Sequence, residues 1–167
     1  MTELKIGVVD VYLVHQSDAG KHVLVLQRAA HGTRCPLAWE TVHGRIEPGE
    51  RPEQAAVREV AEETGLPIAR LYNVTTQAFY LHGMGAVQLA VVFCAFVAER
   101  APPTLGPEHR AAEWLPIDAA RARLAWPRER EALDHVMHLF ASGDAGPLED
   151  VLRVDQPGTS VKPDARA

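Results

Sequence analysis

The chain has 167 residues, of which 47% are hydrophobic and 23% are charged, and its formal net charge is −5. This length suits one domain with a hydrophobic core. The acidic balance argues against bulk nucleic-acid binding, whose affinity comes mostly from neutralised phosphates, but it is compatible with a small phosphorylated substrate. The two cysteines, Cys35 and Cys94, lack the number and spacing of a disulfide framework or a zinc site.

The N-terminal segment gives no sign of export. Residues 1–5 are polar and lack the basic and apolar regions of a secretory signal. The longest apolar run, residues 89–98, is too short to span a bilayer. These features predict a cytoplasmic protein that has no membrane partner.

Strand-like segments dominate the first two thirds of the chain. They are predicted at residues 6–14, 23–26, 39–42, 71–81 and 89–97. The first two are joined into a hairpin by a turn at residues 18–21, and a second turn at residues 82–85 precedes the last strand. That last strand is a nearly continuous apolar run, which is typical of a strand buried on both faces of a sheet.

The helices are predicted from their ends and their periodicity. Pro52 suits a first helical turn and Gly65 suits the left-handed closing position, so one helix covers residues 52–64. Apolar residues at three- and four-residue spacing predict another helix over residues 128–140, and a shorter one over residues 117–124 precedes it.

After residue 141, glycine and proline residues interrupt any helical or strand periodicity of the apolar residues. We therefore predict one domain over residues 1–141, followed by a partly disordered tail over residues 142–167. Within that tail, residues 148–154 are apolar enough to dock onto the domain.

The predicted helix 52–64 places three glutamates on one face. At about 100° per residue, Glu59, Glu62 and Glu63 fill an arc of roughly 100°. The residues expected on the core-facing side are Val57, Val60 and Ala61. Like charges at this spacing destabilise a helix, and anions near its C-terminus oppose the helix dipole. A divalent cation would remove both penalties, because Mg²⁺ takes carboxylate oxygens as ligands.

A charge run alone is more often a solvated helix face than a metal site. Here, however, the glutamates belong to a longer pattern of nine fixed or class-restricted positions over 23 residues. These positions are Gly44, Glu50, Arg58, Glu59, Val60, Glu62, Glu63, Gly65 and Leu66. The pattern resembles the Nudix box. The resemblance implies an α/β/α sandwich with a mixed central sheet, and a hydrolase that uses Mg²⁺, or alternatively Mn²⁺, to cleave a phosphoanhydride bond.

The resemblance also implies roles for the box residues. Glu59 and Glu63 are the implied principal metal ligands, and Glu62 is a third carboxylate that acts as a ligand or in catalysis. The carbonyl of Gly44 is a further implied ligand. We expect Glu63 to be catalytic as well.

Further implied residues lie around and outside the box. Glu50 and Arg58 resemble the ion pair that holds the box loop. The family often adds a glutamate in the loop before a late strand that contains Trp. Glu108 lies six residues before Trp114 and is our candidate for a metal ligand or general base, with Glu113 as the alternative. Metal ions would lower the pKa of the attacking water, and a nearby carboxylate would take its proton.

Substrate choice rests on a weaker resemblance. Residues 23–28, 39–44 and 108–115 look like the bacterial dATP/dihydroneopterin triphosphate pyrophosphohydrolase subgroup, although His43 departs from the small residue common before Gly44. The predicted reaction converts a nucleoside or pterin triphosphate to the monophosphate and pyrophosphate. The alternatives are a diadenosine polyphosphate or ADP-ribose hydrolase, a diphosphate isomerase or RNA end-processing enzyme of the same fold, or a non-catalytic nucleotide sensor.

The predicted substrate-binding residues are Arg28, Trp39 and Phe79. Arg28 either contacts phosphate or base, or caps an edge strand. Trp39 and Phe79 could stack on a flat ring, which contributes about 0.5–1.5 kcal/mol beyond burial, although Trp39 could equally be a core residue beneath the box loop. The predicted partner is a small nucleotide-like molecule, and the chain is a monomer or a homodimer.

Overall fold

The computed structural model describes residues 2–154, which are arranged around a seven-stranded sheet. The strands are β1 (Glu3–Ser17), β2 (Gly20–Arg28), β3 (Trp39–Glu40), β4 (Val42–Arg45), β5 (Arg70–Leu81), β6 (Ala86–Phe96) and β7 (His109–Pro116). The helices are α1 (Pro52–Thr64), α2 (Ile117–Arg123), α3 (Pro127–Leu139) and α4 (Glu149–Leu152). Short 3₁₀ turns lie at His82–Met84 and Gly146–Leu148.

The sheet is mixed. Its main order is β3-β2-β1-β6-β5, while β4 pairs with β1 and β7 pairs with β2. The contact between β1 and β6 is parallel, and the other strand pairs are antiparallel. A parallel pair needs a long crossover connection, and the connection between these two strands includes α1.

Apolar clusters cover both faces of the sheet. On one face, Tyr12 and Val92 pack with Leu133 of α3. On the other face, Val11 and Phe93 pack with residues of α1. Strand β6 therefore contributes side chains to both cores, as its continuous apolar run predicted. The expected α/β/α sandwich with a mixed central sheet is confirmed.

The predicted strand over residues 39–42 is two strands in the structure. Strand β3 pairs with β2, whereas β4 crosses to β1, and Thr41 lies between them. The Thr41 hydroxyl donates a hydrogen bond of 2.5 Å to the Val11 carbonyl. This change of partner is a tertiary feature, and it brings β4 with its box glycine alongside the central strand.

Helix α1 has the predicted bounds, and Gly65 closes it in the left-handed conformation, with φ of 66°. The prediction of its core-facing side was wrong in part, because Val57 and Ala61 are exposed and only Val60 is buried. The buried face is rotated toward the glutamates. The small side chains of Ala55 and Ala56 allow the helix to approach the sheet on that side.

The predicted tail begins with a packed segment. The Tyr72 hydroxyl donates a hydrogen bond of 2.9 Å to Glu149 Oε1, and the Val154 amide donates one of 2.9 Å to the Leu71 carbonyl. Leu152 packs against the core. This segment of the predicted tail thus packs against the domain through Glu149, Leu152 and Val154. Residues 155–167 of the predicted tail lie outside the described residues. Within residues 2–154, the helices are too short or too polar to cross a membrane.

Candidate functional site

A cleft of 1110 Å³ opens beside the box loop. Its walls come from β4, α1, the turn before β7, the β5–β6 turn and the start of α3. The predicted site residues that line it are Arg28, Gly44, Glu59, Glu62, Glu63, Phe79 and Glu108. A smaller cavity of 540 Å³, lined by Arg51, Asn73 and Arg153 among others, contains none of them.

Two of the box glutamates are buried at the edge of the cleft. Glu59 and Glu63 are each 9% exposed, and Glu63 Oε2 has no hydrogen-bond partner in the described part of the chain. Burial, followed by the nearby charges of Glu40 and Glu59, raises the pKa of Glu63 to about 9. Burial likewise raises the pKa of Glu59, against the opposing effect of Arg58. Buried carboxylates normally have a cationic or hydrogen-bonding partner, so this pair is unlike a solvated helix face.

Gly44 provides the space for the Glu59 side chain. A Cβ atom at residue 44 would lie 1.8 Å from Glu59 Cδ and 2.0 Å from Glu59 Oε1. The backbone of Gly44 does not have the positive φ that favours glycine. The residue is therefore required because the carboxylate packs against its backbone.

Arg58 links the box loop to the helix. Its Nε and Nη2 atoms donate hydrogen bonds of 2.9 Å to the two carboxylate oxygens of Glu50, and Nη2 also donates to the Arg45 carbonyl at 2.7 Å. Its Nη1 atom lies 2.7 Å from Glu59 Oε1 and 3.3 Å from Glu62 Oε2. The guanidinium group therefore forms the ion pair expected with Glu50 and also supplies a positive charge to two other box glutamates.

The box glutamates differ in their surroundings. The side chain of Glu62 is 59% exposed, whereas Glu59 and Glu63 are buried. Within residues 2–154, no three carboxylate, imidazole or thiolate groups converge closely enough to enclose a metal ion. The donor set nevertheless fits a hard divalent cation, because the buried Glu63 oxygen that lacks a partner there is close enough to Glu59 to feel its charge, and the Glu59 carboxyl group packs against the Gly44 backbone.

The raised pKa of Glu63 has a consequence for stability. A carboxyl group that titrates at about 9 when folded, against 4.5 normally, stays protonated in the fold while it ionises in the unfolded chain. The metal-free protein should then lose stability as the pH rises through this interval. At pH 8, we expect Glu63→Gln to raise the melting temperature of the metal-free protein by at least about 2–4 °C. Calorimetry in the presence of a chelator measures this.

Glu62→Gln is the matched control on the same helix. Because Glu62 is mostly exposed and paired with Arg58, its substitution should change stability by no more than about 0.5 kcal/mol. Added Mg²⁺ should stabilise the wild-type protein more than Glu63→Gln, because a ligand stabilises the state that binds it. Equal melting temperatures for wild type and Glu63→Gln from pH 5 to pH 8 would contradict the prediction.

The structure separates the two candidate glutamates outside the box. Glu108 lines the cleft, with 63% of its side chain exposed, and its Oε2 lies 3.7 Å from Arg28 Nη2. Glu113 lies outside the cleft lining and pairs with Arg123 at 3.2 Å. Placement therefore favours Glu108.

The two aromatic candidates for substrate contact are also separated. Phe79 lines the cleft, and the Arg128 guanidinium lies 4.5 Å from its ring centroid. Trp39 packs against the core and lies under Arg123, 4.7 Å from ring centroid to guanidinium. The structure therefore places Trp39 outside the cleft lining, because its side chain points to the face of the sheet that α2 and α3 cover.

Sequence reasoning assigned no role to several polar residues in or beside the cleft, among them Asp10, His43, Arg128 and Glu40. Asp10 is fully buried, lies 2.6 Å from His43 Nδ1 and accepts a hydrogen bond from Arg128. Burial alone would raise the pKa of Asp10, but His43 and Arg128 outweigh it and hold that pKa below its usual value. Glu40, 3% exposed, pairs with Arg28 at 2.7 Å. A charged residue inside the apolar stretch of β1 was the available signal for Asp10.

The sheet between helices and the loop–helix that carries buried glutamates together define an α/β/α protein whose cleft presents carboxylates suited to a divalent cation. The family model of the NUDIX domain matches residues 6–136. The chain therefore belongs to the Nudix family.

Curated relatives are longer than the region they share with this chain. An octanoyltransferase of Myxococcus xanthus is 38% identical over 97 residues, which are 57% of this chain and 27% of that protein. A Caenorhabditis elegans protein with "nudix hydrolase 1" in its name is 30% identical over 146 residues, covering 86% of this chain and 38% of its own length. The NAD-capped RNA hydrolase NudC of Pseudomonas aeruginosa is 29% identical and covers 70% of this chain. The chain spans 40% of that protein's length.

Solved structures share the fold at low identity. A C. elegans Ap4A hydrolase has a TM-score of 0.69 and 19% identity, covering 81% of this chain and 97% of the other. The dihydroneopterin triphosphate pyrophosphohydrolase of E. coli has a TM-score of 0.61 and 24% identity, covering 80% and 96%. These likenesses establish the fold, and they do not single out the subgroup expected from the sequence.

Proposed function

We propose that the chain is a Mg²⁺-dependent hydrolase that cleaves a nucleoside or pterin triphosphate to the monophosphate and pyrophosphate. The observation that carries the proposal is the buried pair Glu59 and Glu63 at the edge of a cleft large enough for a nucleotide. Membership of the Nudix family supports hydrolysis of a phosphoanhydride bond. The resemblance of residues 23–28, 39–44 and 108–115 to the dATP/dihydroneopterin triphosphate pyrophosphohydrolase subgroup supports the triphosphate class.

Some residues of the cleft would hold the cation, and others keep the box loop in place. Mg²⁺ or Mn²⁺, when bound, supplies positive charge for the phosphates and lowers the pKa of water. Glu59, Glu63 and the Gly44 carbonyl would hold that cation, with Glu62 as a further carboxylate at the cleft surface. Arg58 keeps Glu50 and the box loop in place through its paired hydrogen bonds.

Glu108 is our candidate for taking the proton from the attacking water. It reaches into the cleft from the turn before β7 and is exposed enough to meet a substrate. A carboxylate suits this role because it can accept a proton at neutral pH once it is held near the nucleophile.

Aromatic side chains in the cleft suit the ring of the substrate. Phe79 and Trp126 both line the cleft, with ring centroids 4.5 Å and 5.8 Å from the Arg128 guanidinium. These two rings offer apolar surface, which suits the planar ring of the substrate. The partner of the cleft is thus a small nucleotide-like molecule. We also propose that the protein is cytoplasmic, as expected from the sequence, and cell fractionation would test this location.

The proposal is tested by measuring released phosphate and pyrophosphate across a panel of compounds with Mg²⁺. The panel contains nucleoside triphosphates, dihydroneopterin triphosphate, ADP-ribose and a diadenosine polyphosphate. We expect the fastest turnover for a triphosphate, with pyrophosphate as the product. Faster cleavage of ADP-ribose or of the diadenosine compound would assign the chain to another substrate class, and binding without any turnover would make it a nucleotide sensor.

We expect Glu108→Gln to lower kcat by about 10²-fold and to change KM much less. The amide cannot accept the proton, whereas ground-state binding of the substrate loses little. Steady-state kinetics on the best compound of the panel measures both constants. Glu113→Gln is the control, since Glu113 lies outside the cleft lining and should keep wild-type turnover. The reverse outcome would move the role to Glu113.

A further inference from the structure

A chain of polar side chains runs from the core to Glu108. His109 is fully buried, and its Nε2 atom lies 3.0 Å from Glu40 Oε1. The same carboxylate accepts a hydrogen bond of 2.7 Å from Arg28 Nη1. The other guanidinium nitrogen, Nη2, lies 3.7 Å from Glu108 Oε2. Arg28 therefore stands between a buried carboxylate and an exposed one.

The backbone reinforces this arrangement. The Ala29 amide donates a hydrogen bond of 2.8 Å to the Glu108 carbonyl, and the His109 amide donates one of 3.3 Å to the Gly106 carbonyl. The pairing of β2 with β7 shifts register between Gln27 and Arg28. Such bulges re-aim side chains and occur beside active sites, and this one places Arg28 opposite His109.

The burial of these polar side chains does not by itself favour folding. The side chains of Arg28 and Glu40 are 13% and 4% exposed, and that of His109 is fully buried. Taking charged groups out of water is unfavourable even when they pair, and apolar residues of similar volume often do as well for stability. The mechanism proposed above does not use Glu40 or His109.

We propose that Arg28 is a positioning residue that holds the catalytic carboxylate of Glu108 on the cleft, anchored on the buried Glu40–His109 pair. This inference rests on the proposed function, because it assumes that Glu108 acts in the reaction. A planar guanidinium can reach both carboxylates at once, whereas a single ammonium group cannot. Arg28 therefore acts through Glu108. It needs both terminal nitrogens, because Nη1 bonds to Glu40 and Nη2 faces Glu108.

The kinetic test is a double-mutant cycle on the best substrate of the panel. Arg28→Lys keeps a positive charge beside Glu40, so the fold should survive, but it cannot also hold Glu108. We expect it to lower kcat by about tenfold with little change in KM. We also expect Arg28→Lys/Glu108→Gln to be no slower than Glu108→Gln by more than about threefold, because the two residues share one function.

Three kinetic outcomes would overturn the proposal. Multiplicative losses in the double mutant would show that Arg28 and Glu108 act independently. A rise in KM without a fall in kcat would make Arg28 a substrate contact. Wild-type turnover in Arg28→Lys would show that charge alone suffices. The matched control is Arg123→Gln, which breaks a similar ion pair with Glu113 outside the cleft lining and should leave kcat unchanged.

Hydrogen exchange separates this inference from the substrate proposal. In Arg28→Lys, the Ala29 amide should exchange at least about tenfold faster than in wild type, because the turn that carries Glu108 opens more often. The Ala69 amide, which bonds to the Phe96 carbonyl at 2.8 Å, is the reference and should not change. Unchanged exchange at Ala29 would refute the positioning role. If wild type cleaves no compound of the panel, the proposed function fails. Hydrogen exchange at Ala29 would still show whether Arg28 holds the turn that carries Glu108.

Discussion

Glu63→Gln is expected to lower kcat by about 10³-fold or more at saturating Mg²⁺ while the fold survives. Glu63 presents a buried oxygen that has no hydrogen-bond partner among residues 2–154, and an amide is a much poorer ligand for a hard cation than a carboxylate. Losing such a ligand should cost several kcal/mol of transition-state stabilisation, at about 1.36 kcal/mol per tenfold in rate. Steady-state kinetics over a Mg²⁺ titration measures the loss, and circular dichroism checks the fold.

The control for this substitution lies on the same helix. Glu53 is in the first turn of α1, pairs with Arg51 and is not part of the cleft lining. Glu53→Gln should therefore retain wild-type turnover and Mg²⁺ dependence. Near wild-type kcat in Glu63→Gln at saturating Mg²⁺ would remove Glu63 from the proposed metal site.

The second large effect is expected for Gly44→Ala, which should lower kcat by about 10²-fold or more. The added methyl group would overlap the Glu59 carboxyl group, which then has to rotate away from its place beside Glu63. Because the displaced atoms end a flexible side chain, the stability loss should stay within about 1–3 kcal/mol. Kinetics and chemical denaturation measure the two effects separately.

A double mutant shows whether Gly44 acts through Glu59. If it does, Gly44→Ala/Glu59→Ala should be no slower than Glu59→Ala alone, because the methyl group then has no carboxylate to displace. Independent, multiplicative losses would instead indicate that the Gly44 backbone itself is distorted. Wild-type activity in Gly44→Ala would contradict the close packing on which the prediction rests.

Local sequence determined the element that carries the chemistry. Pro52 and Gly65 mark the ends of α1 through their own backbone preferences, so its bounds were predicted without tertiary information. The spacing of the box likewise places Arg58 within reach of Glu50, and the structure forms that ion pair. Such features depend on residues close in sequence, where geometry leaves few alternatives.

Only the tertiary structure decided how the box glutamates differ. The helical spacing put Glu59, Glu62 and Glu63 on one arc, but the position of α1 on the sheet buries two of them and leaves Glu62 exposed. A helical period gives the relative directions of side chains, and it does not say which direction meets the sheet.

Residues far from the box depended most on tertiary structure. The turn before β7 brings Glu108 to the cleft, whereas Glu113 faces Arg123. Trp39 and Glu40 are successive residues of β3, so one packs against the core and the other lines the cleft. Side-chain direction in a strand alternates with every residue, so a bulge or a one-residue shift in register reverses it. The sequence by itself therefore determined the family and the box helix, and long-range strand pairing decided which other side chains reach the cleft.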